Sequence, residues 1–387
     1  MLASLRETPK KNTLKKKITP VKVITVITVL LLSLIILNYN KTLRVPSIFD
    51  GKFYSSALIK PATEKKYLAE NPMVLPDLAL WVDSASAAKY QYPDFLLQQT
   101  STTSFLVIRN DTIIFKRYLN GIKEGDNTQL FSVTKVFVTA LLGMVIQDKI
   151  IADADIPVTN YFKDLPNKQF QQLTLRHLTQ MESGLNYDEY GNIFQTLEYY
   201  YNKNLTQTIY TASFNKAPGK QFMYKSIDTQ ILGECIKKAL GNKKLMDYFY
   251  ERLWNNLGMQ DTAYWALDSK ITNNPKFYGG LNMSARDLAK FGVMVLHDGK
   301  FNKQQLFPKD WYNYCNDTLH RSIEDDKYCM GWYYSNDDEN SDVYYAAGFN
   351  GQIMMINETK NVIIIRLGKD RGGVNWYPIM KKLSEAL

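Results

Sequence analysis

Ser132 and Lys135 are the residues of this sequence best placed to do chemistry together. They open the stretch Phe131–Lys149, FSVTKVFVTALLGMVIQDK, which from Val136 to Ile146 is almost uninterruptedly apolar and uncharged. Such a run reads as a helix buried on most sides. Residues at i and i+3 share a helix face, so the hydroxyl and the amine can meet. A lysine in the first turn stands at the positive end of the helix dipole, and burial opposes an ammonium further. Both effects favour the neutral amine, the form able to take a proton from Ser132. The chemistry to expect is a serine activated as a nucleophile.

The plain alternative is that Ser132 caps the helix, since serine is a favoured N-cap. Ser-x-x-Lys also recurs at Ser86–Lys89 and Ser213–Lys216, in polar or aromatic surroundings. Only the central copy opens a buried helix. Other catalytic patterns are missing from the sequence. His177, His297 and His320 are the only histidines, there is no G-x-S-x-G elbow, and H-E-x-x-H, Walker and G-x-G-x-x-G motifs are absent. His177 and His297 read as packing or surface residues. A serine–lysine pair needs a second proton shuttle for the leaving group. Tyr224, in QFMYKSIDTQ after the turn Pro218-Gly219, is the candidate among 26 tyrosines. It qualifies only if the fold sets it against Lys135, whose charge is expected to lower the phenol's pKa.

The elements that must position these residues begin beyond an unusual N-terminus. The chain has 387 residues and a net charge of +9, of which +6 lies in residues 1–22. That distribution marks a basic tail and excludes a nucleic-acid-binding surface. Val23–Asn40 follows without a charge, close to the length needed to cross a bilayer, with Lys22 and Lys41 able to snorkel at its ends. The expectation is a single-pass signal anchor in the inner membrane. The tail would be cytoplasmic and everything after residue 40 on the extracytoplasmic, periplasmic side. A cleaved signal peptide is the competitor, but no small-x-small site follows Leu37.

Residues 41–75 read as a stalk or lead-in, and 76–387 as one domain. Within it, Ser104–Arg109 and Thr112–Tyr118 form a hairpin about Asn110-Asp111. A mostly helical lobe spans about 155–300. Its helices include one capped by Ser226 and ended by Gly241, one over Lys243–Leu257, and one over Ser284–Asp298. The chain returns to strands at Val343–Ala347, Gln352–Asn357 and Asn361–Leu367, with a hairpin turn at Asn350-Gly351, and closes on a helix at Pro378–Ala386. The fold class is α/β, an α+β sandwich with an antiparallel sheet built from both ends of the chain and an inserted helical lobe. Three cysteines leave at least one unpaired. Cys235 reads as a core residue, a Cys315–Cys329 disulfide is one reading, and their spacing fits no zinc site.

FSVTK, LTLRHLTQMESGL, PGKQFMYKSIDTQILG, GGLNMSARDLAKFG and AAGFNGQ occur in the order and rough spacing of the serine β-lactamase-like family. That family includes class C β-lactamases, penicillin-binding carboxypeptidases, esterases and 6-aminohexanoate-dimer hydrolases. YKSIDTQILG, LGMQDTAYWALD and AAGFNGQ look most similar to the last group. The resemblance covers about residues 100–385 and implies a β-lactamase/transpeptidase-like fold. It implies Ser132 as nucleophile, Lys135 as its base and Tyr224 as acid/base for the leaving group. The backbone N–H groups of Ser132 and Phe349 would form the oxyanion hole, and no metal or organic cofactor is implied.

Two positions depart from the family pattern. Its Tyr-x-Asn reads Tyr224-Lys225-Ser226, so a hydroxyl replaces an amide. Its Lys-Thr-Gly strand reads Ala346-Ala347-Gly348, which removes the cation that meets the carboxylate of penicillins and D-alanyl peptides. Ser226, Gly348, Asn350, Tyr187, Asp188 and Tyr190 are the candidate substrate contacts. The expected activity is hydrolysis of a small ester, amide or peptide-like substrate. The rivals are a D-alanyl carboxypeptidase or β-lactamase, and a binding or sensor protein on the same scaffold.

Overall fold

The computed structural model describes residues 20–39, 45–52, 54–76, 78, 93–312, 326–335 and 342–387. The basic tail, Ser86–Lys89, Cys315 and His320 lie outside the described residues. The chain divides into two units, Met1–Val45 and Pro46–Leu387. In the first, Pro20–Tyr39 is helical, and the side chains from Val23 to Leu32 are exposed. Among the described residues no helix is long and apolar enough to cross a membrane.

The second unit is built on an eight-stranded sheet. Its order is Asp326–Cys329, Trp332–Ser335, Val343–Gly348, Gln352–Asn357, Val362–Gly368, Thr102–Arg109, Thr112–Tyr118 and Ala69–Glu70. Every pairing is antiparallel except the last, where Ala69 and Glu70 run parallel to Thr112 and Ile113. The Asn350-Gly351 hairpin closes as expected, with Gly348 opposite Gln352. A smaller sheet joins Ser56–Ile59, Ala263–Ala266, Leu281–Met283 and Thr128–Gln129. The segment read as a stalk therefore belongs to the folded body from Pro46 onward, because both Ser56–Ile59 and Ala69–Glu70 supply strands.

Val362–Gly368 is buried along its whole length because both faces of the sheet are covered. Ile363, Ile365 and Leu367 face a core shared with Val133, Val136, Phe137 and Leu141 of the stretch Phe131–Lys149. Val362 and Ile364 face a second core that contains Leu96 and Leu97 of the helix Pro93–Gln99 and Trp376, Ile379 and Leu383 of the helix Trp376–Ala386. A continuous apolar run in so short a segment follows from that two-sided burial. The intervening sequence supplies the helical lobe, including Ser226–Ala239 and Ala285–Leu296. The helix expected over Lys243–Leu257 is broken. It is helical over Leu245–Phe249 and then widens into a π turn over Tyr250–Trp254. Cys235 is buried and free.

Arg366 interrupts the apolar strand and is fully buried. Its guanidinium donates to the carbonyls of Thr100 (2.8 Å), Asp370 (2.8 Å), Gly351 (2.9 Å) and Asn350 (3.2 Å), and to Thr102 Oγ1 (3.1 Å). It lies over the Trp376 ring, and burial lowers its pKa to about 9. Arg366→Met would leave four carbonyls without this donor, at roughly 1–3 kcal/mol for each that stays dry. The expected loss of stability is at least ~2 kcal/mol, read as a lower urea midpoint at unchanged slope; an unaltered midpoint would contradict this role.

Candidate active site

The sequence around Ser132 builds a short 3-10 turn, Phe131–Val133, before the α-helix Thr134–Gln147 begins. The cap positions of the two segments are Leu130 and Val133, and neither makes a side-chain cap bond. Ser132 is thus not a helix cap, and its hydroxyl is committed elsewhere. Phe131 has φ +48°, a left-handed conformation unusual for a bulky residue and of the kind that clusters at functional sites.

Lys135 is 1% exposed. Its Nζ lies 3.0 Å from Ser132 Oγ, 2.9 Å from the carbonyl oxygen of Tyr278 and 3.4 Å from Ser226 Oγ. Burial lowers its pKa to about 8, against the opposing pull of Glu189 and Asp228. The amine is therefore available as a base above about pH 8, rather than only above the 10.5 of an ordinary lysine.

Tyr224 packs against this group, with its ring centroid 4.9 Å from Lys135 Nζ. The expectation that the lysine would lower the phenol's pKa is not met. Burial pushes it well above 10, with neighbouring Tyr333 and Tyr328 and Glu189 acting in the same direction. The lysine faces the ring, and the aromatic surroundings desolvate any phenolate. Tyr224 is held as a neutral phenol, a donor. Its neighbours are Tyr328, Tyr190 and Tyr333, with ring centroids at 5.7, 5.8 and 6.3 Å.

The end of the strand Val343–Gly348 presses on the turn Phe131–Val133. A Cβ built at Gly348 would lie 3.3 Å from the backbone nitrogen of Ser132 and would collide with the carbonyl oxygen of Leu130. Only glycine permits this approach. Phe349 follows directly, half-exposed, with its ring 5.6 Å from that of Phe131. Asn350 then turns the chain at φ +63°, and its amide donates to the carbonyl of Pro46 at 3.4 Å. Gln352 holds the same turn from inside, donating to the carbonyls of Phe349 (3.3 Å) and Gly368 (2.7 Å).

The remaining candidates divide. Ser226 reaches Lys135, but it does not cap its helix: Lys225 is at the cap position, and the hydroxyl of Ser226 donates to Glu189 Oε1 at 2.7 Å. Tyr190 is exposed and leans over Tyr224 at the rim. Tyr187 is buried in the main core beside Tyr199. Asp188 is exposed and closes that turn by accepting the Gly191 N–H at 2.7 Å. His177 completes a capping box with Thr174, and His297 pairs with Asp111 on the surface.

Glu189 was missed. It sits between candidates in SGLNYDEY, and the replacement of an amide by Ser226 was the available signal. A lone hydroxyl there needs a partner to hold it.

A family model described as Beta-lactamase matches residues 94–375. The chain belongs to the Beta-lactamase family. A curated member of similar sequence is the 6-aminohexanoate-dimer hydrolase of Paenarthrobacter ureafaciens, 20% identical over 70% of this chain and 73% of that one. A Bacillus anthracis chain provisionally named a 6-aminohexanoate-dimer hydrolase superposes with a TM-score of 0.76 at 20% identity, covering 88% of this chain and 92% of its own. A penicillin-binding protein from Bacillus halodurans gives 0.59 at 15% identity, covering 75% and 98%. This Beta-lactamase family chain thus has the fold of the penicillin-binding-protein-like serine hydrolases, in agreement with its five ordered motifs.

Proposed function

We propose that the protein is a membrane-anchored serine hydrolase that cleaves an ester or amide through an acyl-enzyme on Ser132. The observation that carries this reading is the 3.0 Å contact between Ser132 Oγ and a buried Lys135 whose pKa is lowered to about 8. In the first step Oγ attacks the carbonyl carbon, its proton passes to Lys135 Nζ, and the carbonyl π electrons move onto oxygen. The N–H groups of Ser132 and Phe349 receive that oxyanion, each such donor being worth about 2.7–4 kcal/mol at the transition state. Collapse expels the alkoxide or amine, which takes the phenolic proton of Tyr224, and the Lys135 ammonium restores the phenol. A water then repeats the sequence in reverse to release the acid.

Ala346 and Ala347 offer no cation for a substrate carboxylate, which favours neutral substrates over penicillins and D-alanyl peptides. The name of the Paenarthrobacter relative points to linear amides as a class worth assaying. The lysine-rich terminus before the uncharged Val23–Asn40 supports an inner-membrane anchor with the catalytic body outside; protease accessibility of the body in spheroplasts tests it.

Intact mass after fluorophosphonate treatment tests the chemistry. One adduct on the wild type and none on Ser132→Ala is expected, and an equal adduct on both would refute Ser132 as nucleophile. The pH dependence follows from the base. Since only the neutral amine accepts the proton, kcat/KM for a neutral ester should fall tenfold per unit below about pH 8 and level off above it. A profile flat down to pH 6 would rule out Lys135 as the base.

A further inference from the structure

Resting on the Ser132–Lys135 reading, we propose that Glu189 is a positioning residue that turns the lone pair of Lys135 toward Ser132 by way of Ser226. A neutral lysine amine has two N–H bonds and one lone pair, in tetrahedral directions. Three polar atoms surround Lys135 Nζ: the carbonyl oxygen of Tyr278, Ser226 Oγ and Ser132 Oγ. The carbonyl can only accept. Ser226 has a single hydroxyl hydrogen, and that hydrogen lies on Glu189 Oε1 at 2.7 Å, so toward Lys135 its oxygen can only accept as well. Both N–H bonds are thereby assigned, and the lone pair is left for the hydrogen of Ser132. Glu189 Oε2 also accepts the backbone N–H of Ser226, which fixes the hydroxyl from two sides.

Without the carboxylate, Ser226 would be free to donate its own hydrogen to the lone pair and compete with the nucleophile. The carboxylate further favours the ammonium that Lys135 becomes. The other groups facing Lys135 are the ring of Tyr224 and the buried Asp228, which lies on the Ser226–Ala239 helix and accepts from Ser183 Oγ at 2.6 Å. Burial raises the pKa of Asp228 to about 7. Glu189 is the one of these groups that binds Ser226. Its own backbone carbonyl is held separately by Thr196 Oγ1 at 2.7 Å, so changing the side chain leaves the loop anchored.

The test uses p-nitrophenyl acetate with the full chain and its Glu189→Gln, Glu189→Leu and Ser226→Ala variants. Glu189→Leu should lower kcat at least ~10-fold with KM within threefold, as expected for weakened general-base catalysis. Glu189→Gln should move the low-pH limb of kcat/KM downward, since a carboxylate that favours the ammonium is gone. Because the orienting effect runs through Ser226, adding Glu189→Leu to Ser226→Ala should cost nothing more in kcat on the high-pH plateau, where Lys135 is neutral in every variant. Glu189→Asp should recover part of the rate. A Glu189→Leu enzyme with kcat within threefold of wild type, an unmoved limb in Glu189→Gln, or additive plateau losses in the double variant would each overturn the proposal. A wild type that takes no fluorophosphonate adduct would instead overturn the Ser132 reading on which it rests.

Discussion

Lys135→Met should abolish turnover and at the same time make the protein more stable at neutral pH. Loss of a general base alone costs about 10²–10⁴-fold in rate, and in the proposed mechanism the same group also returns the proton to Tyr224. The stability gain comes from the same burial. The folded-state pKa is about 8 against an ordinary 10.5, so below pH 8 the lysine is charged in both states and the folded state bears the full desolvation cost. That cost is on the order of 3 kcal/mol, at 1.36 kcal/mol per pKa unit. Methionine fills a similar volume without it. The Tyr278 carbonyl loses a donor in exchange, which offsets about 1–3 kcal/mol. Between pH 8 and 10.5 the unfolded state binds more protons than the folded state, so wild-type stability rises with pH and the advantage of the variant shrinks. Urea midpoints at pH 7 and 9.5 decide the matter. A wild type more stable than the variant at pH 7, or a gap that widens with pH, would show that Lys135 carries no such penalty.

Gly348→Ala should lower kcat by 10²-fold or more. The new methyl would collide with the Leu130 carbonyl oxygen and crowd the Ser132 nitrogen and Gln352 Cβ. None of these can yield cheaply. Leu130 is fully buried, and its own N–H is tied to the carbonyl of Leu281 at 2.9 Å. Gln352 is locked into the hairpin turn. The strand must therefore move away from the Phe131–Val133 turn, carrying with it the Phe349 N–H that the proposed mechanism uses as an oxyanion donor. Losing one oxyanion donor costs about 10²–10³ in kcat. Substrate binding before attack should change little, so KM is expected within a few-fold of wild type. A Gly348→Ala enzyme that keeps its kcat would show that this strand end takes no part in the reaction.

Much of the fold was legible because the local code and the tertiary demand agree. Thr112–Tyr118 and Gln352–Asn357 alternate or run apolar between turn residues, and they form strands over those residues. The helix at Ala285–Leu296 has its serine cap, Ser284, accepting from Asp287 N, and its closing glycine, Gly299. The disagreements arise where a partner remote in sequence overrides a local preference. Ser226 has the residue type of a cap, but Glu189 claims its hydroxyl. Residues 46–70 look like a linker because strands of two to four residues are too short to show a period. The π turn at Tyr250–Trp254 interrupts a pattern that reads as one helix.

The sequence by itself determined that Ser132 and Lys135 share one face at the start of a buried helix, because spacing and apolarity are local properties. It determined as well, through motif order, that Tyr224 and the Gly348 strand belong to the same family pattern. Only the tertiary structure decided the state of Tyr224, since the packing of Tyr190, Tyr328 and Tyr333 around it outweighs the nearby lysine. It also decided what surrounds the amine. The Tyr278 carbonyl, Ser226 and Glu189 reach the site from 143, 91 and 54 residues along the chain from Lys135, and a preference that depends on which atoms meet across such separations has no local signature.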